Sequence, residues 1–254
     1  MEVSYMGSRY AGFQKQENAN TIQDEIERAL RVYFRKWFTL TGSSRTDAGV
    51  HALQNYFHFD ELEVEAARLS DSVYHLNAIL PADIVIKRVF RVADQAHCRF
   101  DALSRRYRYT IYRRKNPFLT DRGYFFPYKL DWSLMQEAAA IFLQNVDFQS
   151  FCKRNAQVDH YRCTLIDSFW EVEGDTLSYV VEGNRFLRGM VRGLTGTMLR
   201  VGTGKWPLSS IQTIVDARDC TRVDFSVPAH GLTLERVRFA DGAHAQMLDG
   251  ADFE

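Results

Sequence analysis

The chain is poor in cysteine: Cys98, Cys152, Cys163 and Cys220 are scattered and form no C-x-x-C pair. That pattern argues against a disulfide framework and against a zinc site, and its plain reading is four reduced, structural thiols. Long apolar runs are missing too. Nothing approaches the roughly 20 uninterrupted apolar residues of a membrane-spanning helix, so that class of membrane protein is excluded. Prolines number only five and fall at predicted element ends rather than in a low-complexity tract or long linker. The N-terminus, MEVSYMGSRYAGF, lacks the charged start, apolar stretch and small-residue cleavage site of a secretory signal, so a cytoplasmic location is expected. No metal-ligand cluster and no glycine-rich phosphate loop are present, and neither a metal nor a nucleotide cofactor is expected.

Net charge is also absent, at 32 basic against 32 acidic residues. A nucleic-acid binder often declares itself by overall basicity, but here the distribution is uneven. Arg99 to Lys115 holds seven basic residues and only Asp101 as an acid, and Asn184 to Pro207 holds five basic residues and no acid. Acid collects at Asp60 to Glu65 and at Asp249 to Glu254. A neutral protein with this arrangement can still offer a polyanion a basic surface.

What is there is an ordinary globular composition, 46% hydrophobic and 25% charged over 254 residues, enough for one large domain or two modest ones. Ile22, Ile26, Ala29, Leu30, Tyr33 and Phe34 recur at helical spacing behind a capping arrangement of Thr21 and Asp24. Trp37 to Thr41 reads as a strand entering Gly42-Ser43-Ser44, and Leu53 to Phe59 alternates like a half-buried strand. Leu69, Val73 and Leu76 predict a second helix, stopped before Pro81, then a β-rich run from Ile84 to Val92. The second half repeats the theme. A strand is predicted at Ser104 to Tyr112, a helix at Leu134 to Leu143, and a hairpin of Ile166 to Val172 with Thr176 to Glu182 across Gly174-Asp175. Helices at about Leu187 to Val201 and Leu208 to Arg218 follow, then a strand at about Thr233 to Phe239. Without a regular βαβ rhythm, the class is α+β with largely antiparallel sheet. Two similar, α/β-sandwich-like halves are expected, residues 1–98 and 99–246.

The most informative segment is Gly42-Ser43-Ser44-Arg45-Thr46-Asp47-Ala48-Gly49-Val50-His51-Ala52, a small-residue loop between two predicted strands, where reactive groups commonly sit. Asp47 is close enough to Arg45 for a charge pair that would keep its carboxylate ionised, as a nucleophile or base requires. Gly49 permits a tight turn beside it. Asp-Ala-Gly is equally an ordinary turn.

As a string, R-T-D-A-G-V-H resembles the signature loop of the TruA-type tRNA pseudouridine synthases, in which it carries the nucleophilic aspartate. Further blocks agree in order: Gly7-Ser8-Arg9-Tyr10 with Gly12-Phe13-Gln14, Asn77 with Leu80-Pro81 and Asp83-Ile84, His97 with Arg99-Phe100, and Arg105-Arg106-Tyr107-Arg108-Tyr109. Asp147-Phe148 with Ser150-Phe151, Asn184 with Phe186, Met190-Val191-Arg192 and Gly231-Leu232 continue the match over nearly the whole chain. The resemblance implies two α+β halves around a sheet, an active-site cleft between them, and a homodimer. It further implies isomerisation of uridine to pseudouridine in the anticodon arm of tRNA, at positions 38 to 40, with no cofactor.

By the same resemblance Asp47 is the nucleophile, Tyr107 the active-site tyrosine that stacks on the target base, and Arg45 the arginine that enters the space left by the flipped base. Tyr107 read by itself is as readily a buried tyrosine, and Arg45 a salt-bridge partner of Asp47. Arg185, Arg188 and Arg192 fall on one face of their predicted helix, which by itself is a solvated basic stripe. The match singles out Arg192 as a buried partner of the catalytic carboxylate. Leu232, otherwise a core leucine, matches an apolar residue that closes the site. His97, Arg99 and Phe100 within Ala96 to Phe100, together with Arg105 and Lys115, match RNA-contacting positions.

Three residues depart from the family pattern. Met6 stands where aspartate is usual, Phe13 replaces a common tryptophan, and Ser44 replaces the glycine before Arg45. Only Met1 to Val3 precede Ser4-Tyr5 in the first strand, so a start further upstream is expected. The rivals are a pseudouridine synthase for another RNA, a non-catalytic tRNA-binding protein, and a carboxylate-dependent hydrolase. The last needs a second acid near Asp47, and the nearest in sequence are Asp60 and Glu61, beyond a whole strand.

Overall fold

The computed structural model describes residues 1–60, 69 and 71–240. Most of the acidic stretch at Asp60 to Glu65, with Glu61, the acidic tail 249–254 and residues 241–246 of the expected second half lie outside the described residues. The fold is α+β with largely antiparallel sheet, as the sequence predicts. It divides into two compact units, one formed by residues 1–103 with the segment from Leu234, the other by residues 104–233. The segment carrying the last strand thus returns to the unit in which the chain begins. No helix among the described residues is long and apolar enough to cross a membrane.

In the first unit, helix α1 (Ile22–Phe34) buries Ile22, Ile26, Ala29 and Leu30 on one stripe. Its start is capped from both sides. The Asp24 amide donates to the Thr21 hydroxyl at 3.2 Å, and that hydroxyl donates to the Asp24 carboxylate at 2.7 Å. It ends where Arg35 turns left-handed, at φ 59°. The strands are β1 (Glu2–Tyr5), β2 (Thr41–Gly42), β3 (His51–His58) and β4 (Ile84–Arg88), joined by β9 (Leu232–Arg238) in the order β4-β1-β3-β9. β1 runs antiparallel to both neighbours, with Tyr5 opposite Ala52 and Ile84, and β2 extends beside β3 with Gly42 opposite Phe57. Helix α2 (Ser72–Ile79) packs on β4 and α1.

Trp37 to Leu40 is not a strand. The Leu40 amide donates to the Glu27 carboxylate at 3.1 Å and its carbonyl accepts from the Gln23 carboxamide at 3.0 Å, so α1 side chains meet the hydrogen-bonding needs that a ladder would otherwise meet. Similarly, β4 stops at Arg88 and does not run on to Val92.

In the second unit, β5 (Ser104–Tyr112) pairs antiparallel with β8 (Thr176–Gly183) from Arg105 opposite Gly183 to Tyr112 opposite Thr176. β7 (Leu165–Glu173) completes the predicted hairpin with β8, and the short β6 (Tyr124–Phe125) lies parallel to β5. Helices α3 (Trp132–Leu143), α4 (Met190–Gly202) and α5 (Ser210–Ala217) pack together, α3 on β7 and α4 on β5. Several buried polar groups in this core are paired, although the Thr197 hydroxyl on α4 is buried without a hydrogen-bond partner. Gln136 holds both the amide and the carbonyl of the buried Trp170, and Ser168 links the Ala139 carbonyl to the Tyr179 hydroxyl.

Replacing Thr21, which is fully buried, by alanine removes the side-chain cap of α1 together with one buried methyl group. We expect a loss of about 1 kcal/mol, read as a lower urea midpoint with an unchanged slope.

Candidate active site

The R-T-D-A-G-V-H loop hangs between β2 and β3, and its backbone is fixed from below. Asn55 on β3 is fully buried. Its carboxamide nitrogen donates to the Ser44 carbonyl and the Tyr5 hydroxyl, both at 3.1 Å, while its oxygen accepts from the Ser43 hydroxyl and the Tyr56 amide, both at 2.9 Å. The Tyr5 hydroxyl also meets the Thr46 hydroxyl at 2.7 Å, and burial pushes the Tyr5 phenol up to about 12, so it remains neutral. Beyond Thr46 the chain turns, with the Val50 amide on the Asp47 carbonyl at 3.1 Å and Gly49 at φ 80°.

The neighbouring segment closes on the loop through glycine. Gly12 sits at φ 104°, and a Cβ there would lie 3.0 Å from the Thr46 carbonyl oxygen and 3.1 Å from the Ala48 amide. The Phe13 amide donates to the Thr46 carbonyl at 3.0 Å. The Phe13 ring lies 4.8 Å from that of Phe57.

This scaffold presents Asp47 half-exposed and Arg45 exposed. The expected Arg45–Asp47 charge pair does not form: no ion pair joins the two side chains. Thr46 is tethered at both its carbonyl and its hydroxyl, which leaves Arg45 in water, where a pair gains little over solvation. Ser44 does not occupy the left-handed region, so the missing glycine brings no backbone strain. Its hydroxyl, however, is buried without a hydrogen-bond partner.

In the second unit, Tyr107 lies half-buried on β5, on the face it shares with Arg105 and the fully buried Tyr109. The ring of Phe186 meets it edge-on with centroids 5.1 Å apart. Arg105 is 9% exposed and its guanidinium donates to the Asn184 carbonyl at 2.9 Å, so it braces the Asn184 to Arg188 loop. Asn184 in turn exchanges bonds with Thr164, amide to carbonyl at 3.0 Å and amide to side chain at 2.9 Å.

Helix α4 starts at Met190 because Gly189 is left-handed at φ 73°. Arg185 and Arg188 therefore precede the helix rather than sharing a face with Arg192. Arg192 is half-buried rather than buried. Its Nε and Nη2 donate to the Val227 carbonyl at 2.9 and 2.7 Å, and Nη2 reaches the Phe225 carbonyl at 3.4 Å. The segment from Val223 to Leu232 is fastened further by Tyr109, whose hydroxyl donates to the Pro228 carbonyl at 2.7 Å. It delivers Leu232, 6% exposed, to the start of β9.

Of the candidate RNA-contacting residues, Arg105 lies on β5 and the others fall in two loops. His97 organises the first: its amide donates to the Asp101 carboxylate at 2.6 Å, and its Nδ1 accepts from the Arg99 and Phe100 amides at 3.2 and 3.3 Å. Phe100 packs on the imidazole at 4.2 Å and is still 74% exposed, beside an exposed Arg99. Lys115 is exposed on the loop after β5.

Tyr5, Gly12 and Asn55 carry the loop; in the sequence Gly12 stands out only within a matching block and Tyr5 only in the first strand, and Asn55 does not stand out. The available signal was Asn55 itself, a carboxamide two residues before Phe57 on a strand whose apolar positions fill the core.

The sequence profile of the tRNA pseudouridine synthase family matches residues 1–101 and 138–240. A tRNA pseudouridine synthase A from Porphyromonas gingivalis is 40% identical over 240 residues, covering 92% of this chain and 94% of its own. A tRNA pseudouridine synthase A from Staphylococcus aureus (strain JH1) is 37% identical over 240 residues, covering 93% of this chain and 89% of its own. The chain belongs to the tRNA pseudouridine synthase family.

Two substitutions beneath the loop should move stability in opposite directions. Ser44→Ala removes an unpartnered buried hydroxyl and is expected to stabilise by about 1 kcal/mol. Asn55→Ala leaves several buried groups without partners and is expected to cost about 3 kcal/mol or more. Chemical denaturation of both variants checks the pair, and a destabilised Ser44→Ala would contradict the account.

Proposed function

We propose that this chain isomerises uridine to pseudouridine in the anticodon arm of tRNA, with Asp47 as the nucleophile. The observation that carries the reading is the R-T-D-A-G-V-H loop, whose backbone is fixed from Ser43 to Val50 while the Asp47 carboxylate stands half-exposed at its turn. A nucleophile held in one geometry before substrate arrives spares the reaction that ordering cost.

The uridine leaves its stack before any side chain reaches it, at a cost of about a few kcal/mol. Arg45, exposed on the same loop, is assigned to the space the base vacates. Tyr107 is assigned to the face of the extruded uracil, its ring steadied by Phe186, with Leu232 as the apolar closure. The Asp47 carboxylate attacks either the uracil ring or the ribose C1′. On both routes the C1′–N1 bond breaks, the uracil turns, and C1′ bonds to C5. The C5 proton is lost, N1 gains one, and Asp47 is released, so no oxidant, reductant or water is consumed. Arg192 is assigned to the carboxylate through Nη1, the guanidinium nitrogen not used on the Val227 and Phe225 carbonyls. Such a donor would stabilise the ionised nucleophile. Arg99, Phe100, His97 and Lys115 are assigned to the RNA, with Arg105 acting through the loop it braces. A homodimer is part of the same reading.

The test is incubation of purified protein, without added cofactor or metal, with unmodified tRNA transcripts, followed by carbodiimide mapping of pseudouridine at nucleotide resolution. The expected signal lies in the anticodon arm and disappears with Asp47→Asn, whereas turnover by Asp47→Asn removes the nucleophile assignment. Arg192→Met is expected to lower kcat at least a hundredfold, about 2.7 kcal/mol in the barrier. Static light scattering should give twice the mass of one chain.

A further inference from the structure

Past the end of β5 the chain builds a groove of about 320 Å³ lined by Tyr112, Arg114, Lys115, Asn116, Phe118 and Asp175, among others. Its most exposed large apolar side chain is Phe118, 78% open to solvent. This exposure is not the accident of a loose loop. Phe118 sits in a 3₁₀ turn, Pro117–Leu119, where Asn116 acts as a cap: its side chain accepts from the Phe118 amide at 3.0 Å and its carbonyl accepts from the Leu119 amide at 3.2 Å. Arg122 closes the other side, Nη2 donating to the Phe118 carbonyl at 2.8 Å. Pro117 fixes one backbone angle of the turn. The backbone of the turn is thus fixed where it presents the Phe118 ring to water.

The charge around the ring narrows what could cover it. Arg113, Arg114 and Lys115 lead into the turn and Arg122 follows it, against the carboxylates of Asp121 and Asp175. Asp175 lies 3.9 Å from Arg114, both well exposed, a separation at which water takes most of the interaction. An exposed aromatic face with a surplus of flexible cations beside it is what an unpaired nucleotide requires: the ring stacks on the base, and the cations meet the adjoining phosphates.

We infer that this groove seats an unstacked nucleotide of the RNA substrate, with Phe118 stacking on its base and Arg114 and Lys115 on flanking phosphates. The inference rests on the tRNA reading above and adds a contact on the second unit that neither the signature loop nor Tyr107 provides. Stacking is indifferent to salt, whereas phosphate contacts release counterions. The two kinds of contact therefore separate in a titration.

The test measures the Kd of the full chain for an unmodified tRNA transcript across a sodium chloride series, for wild type, Phe118→Ala, Phe118→Trp and Lys115→Ala. Phe118→Ala is expected to weaken binding about tenfold with the wild-type slope of log Kd against log salt. Phe118→Trp should bind within about twofold of wild type, and Lys115→Ala should lower the slope by about 0.7 to 0.9. Wild-type affinity in Phe118→Ala overturns the inference, all the more if light scattering shows a changed mass, which would assign the groove to a second copy of the chain. A wild-type protein that forms no pseudouridine in the same tRNA sinks the underlying reading instead. Wild-type activity beside an indifferent Phe118→Ala sinks this inference alone.

Discussion

The hydrogen bonds of one buried carboxamide, that of Asn55, set the geometry on which the proposed chemistry depends. With no exposure to water, Asn55 uses both its oxygen and its nitrogen on the groups that lead into the loop: Ser43, the Ser44 carbonyl, Tyr5 and the Tyr56 amide. In a low-dielectric interior each of these bonds is stronger than at the surface, and each would be costly to leave unmade. The network therefore selects one path for the backbone between β2 and β3. Asp47 inherits its position from that path and not from any contact with Arg45. The close approach of Gly12 continues the same constraint, because the loop backbone occupies the space where any larger residue would place its Cβ.

The second unit reaches a comparable rigidity by other means. Helix α4 uses glycine to bring the Val223 to Leu232 segment against its backbone: a Cβ at Gly196 would fall 2.1 Å from the Asp224 carbonyl oxygen, and one at Gly193 2.7 Å from the Phe225 ring. Arg192 sits in the first turn of the helix, where the helix dipole disfavours a cation. The Val227 and Phe225 carbonyls supply the compensating negative ends. A guanidinium can serve two such acceptors and keep a further nitrogen for another group, which an ammonium in the same place could not do with fixed geometry.

Much of this was legible in the sequence because local pattern and tertiary burial agree. The alternation from Ser104 to Tyr112 gave the strand to the residue, since one face carries Tyr109 and Ile111 into the core and the other carries Arg106 and Arg108. Helix α1 was equally plain, its cap and its apolar stripe being local facts. The failures fall where a distant group decides. Trp37 to Leu40 has strand composition, but Gln23 and Glu27 hold Leu40 from the helix above it in sequence. Leu187 to Gly189 has helix composition, but the Lys153 amide on the Arg188 carbonyl at 3.0 Å and the left-handed Gly189 delay the helix to Met190. In the site, the aspartate loop could be recognised as a string. Its support by Tyr5 and Asn55 could not, because those residues lie about 40 and 8 positions away from Asp47 in a register that only strand pairing brings together.

Charge follows the same division between local pattern and distant partner. By count, Arg99 to Lys115 is a strongly basic stretch, yet the part of it on β5 is largely committed within its own sheet. Arg106 pairs with Asp167 at 3.1 Å and with the buried Glu182 at 3.5 Å, and Arg108 pairs with Glu171. Arg105 is buried against the Asn184 carbonyl. These cations stabilise strand register and loop shape, and their charge is cancelled close to where it sits. Within this stretch the exposed cations are Arg113, Arg114 and Lys115 where β5 ends, and Arg99 before it begins. In the proposed reading, a protein with no net charge would meet RNA through side chains such as these, and the end of β5 at Tyr112 fixes where Arg113, Arg114 and Lys115 begin.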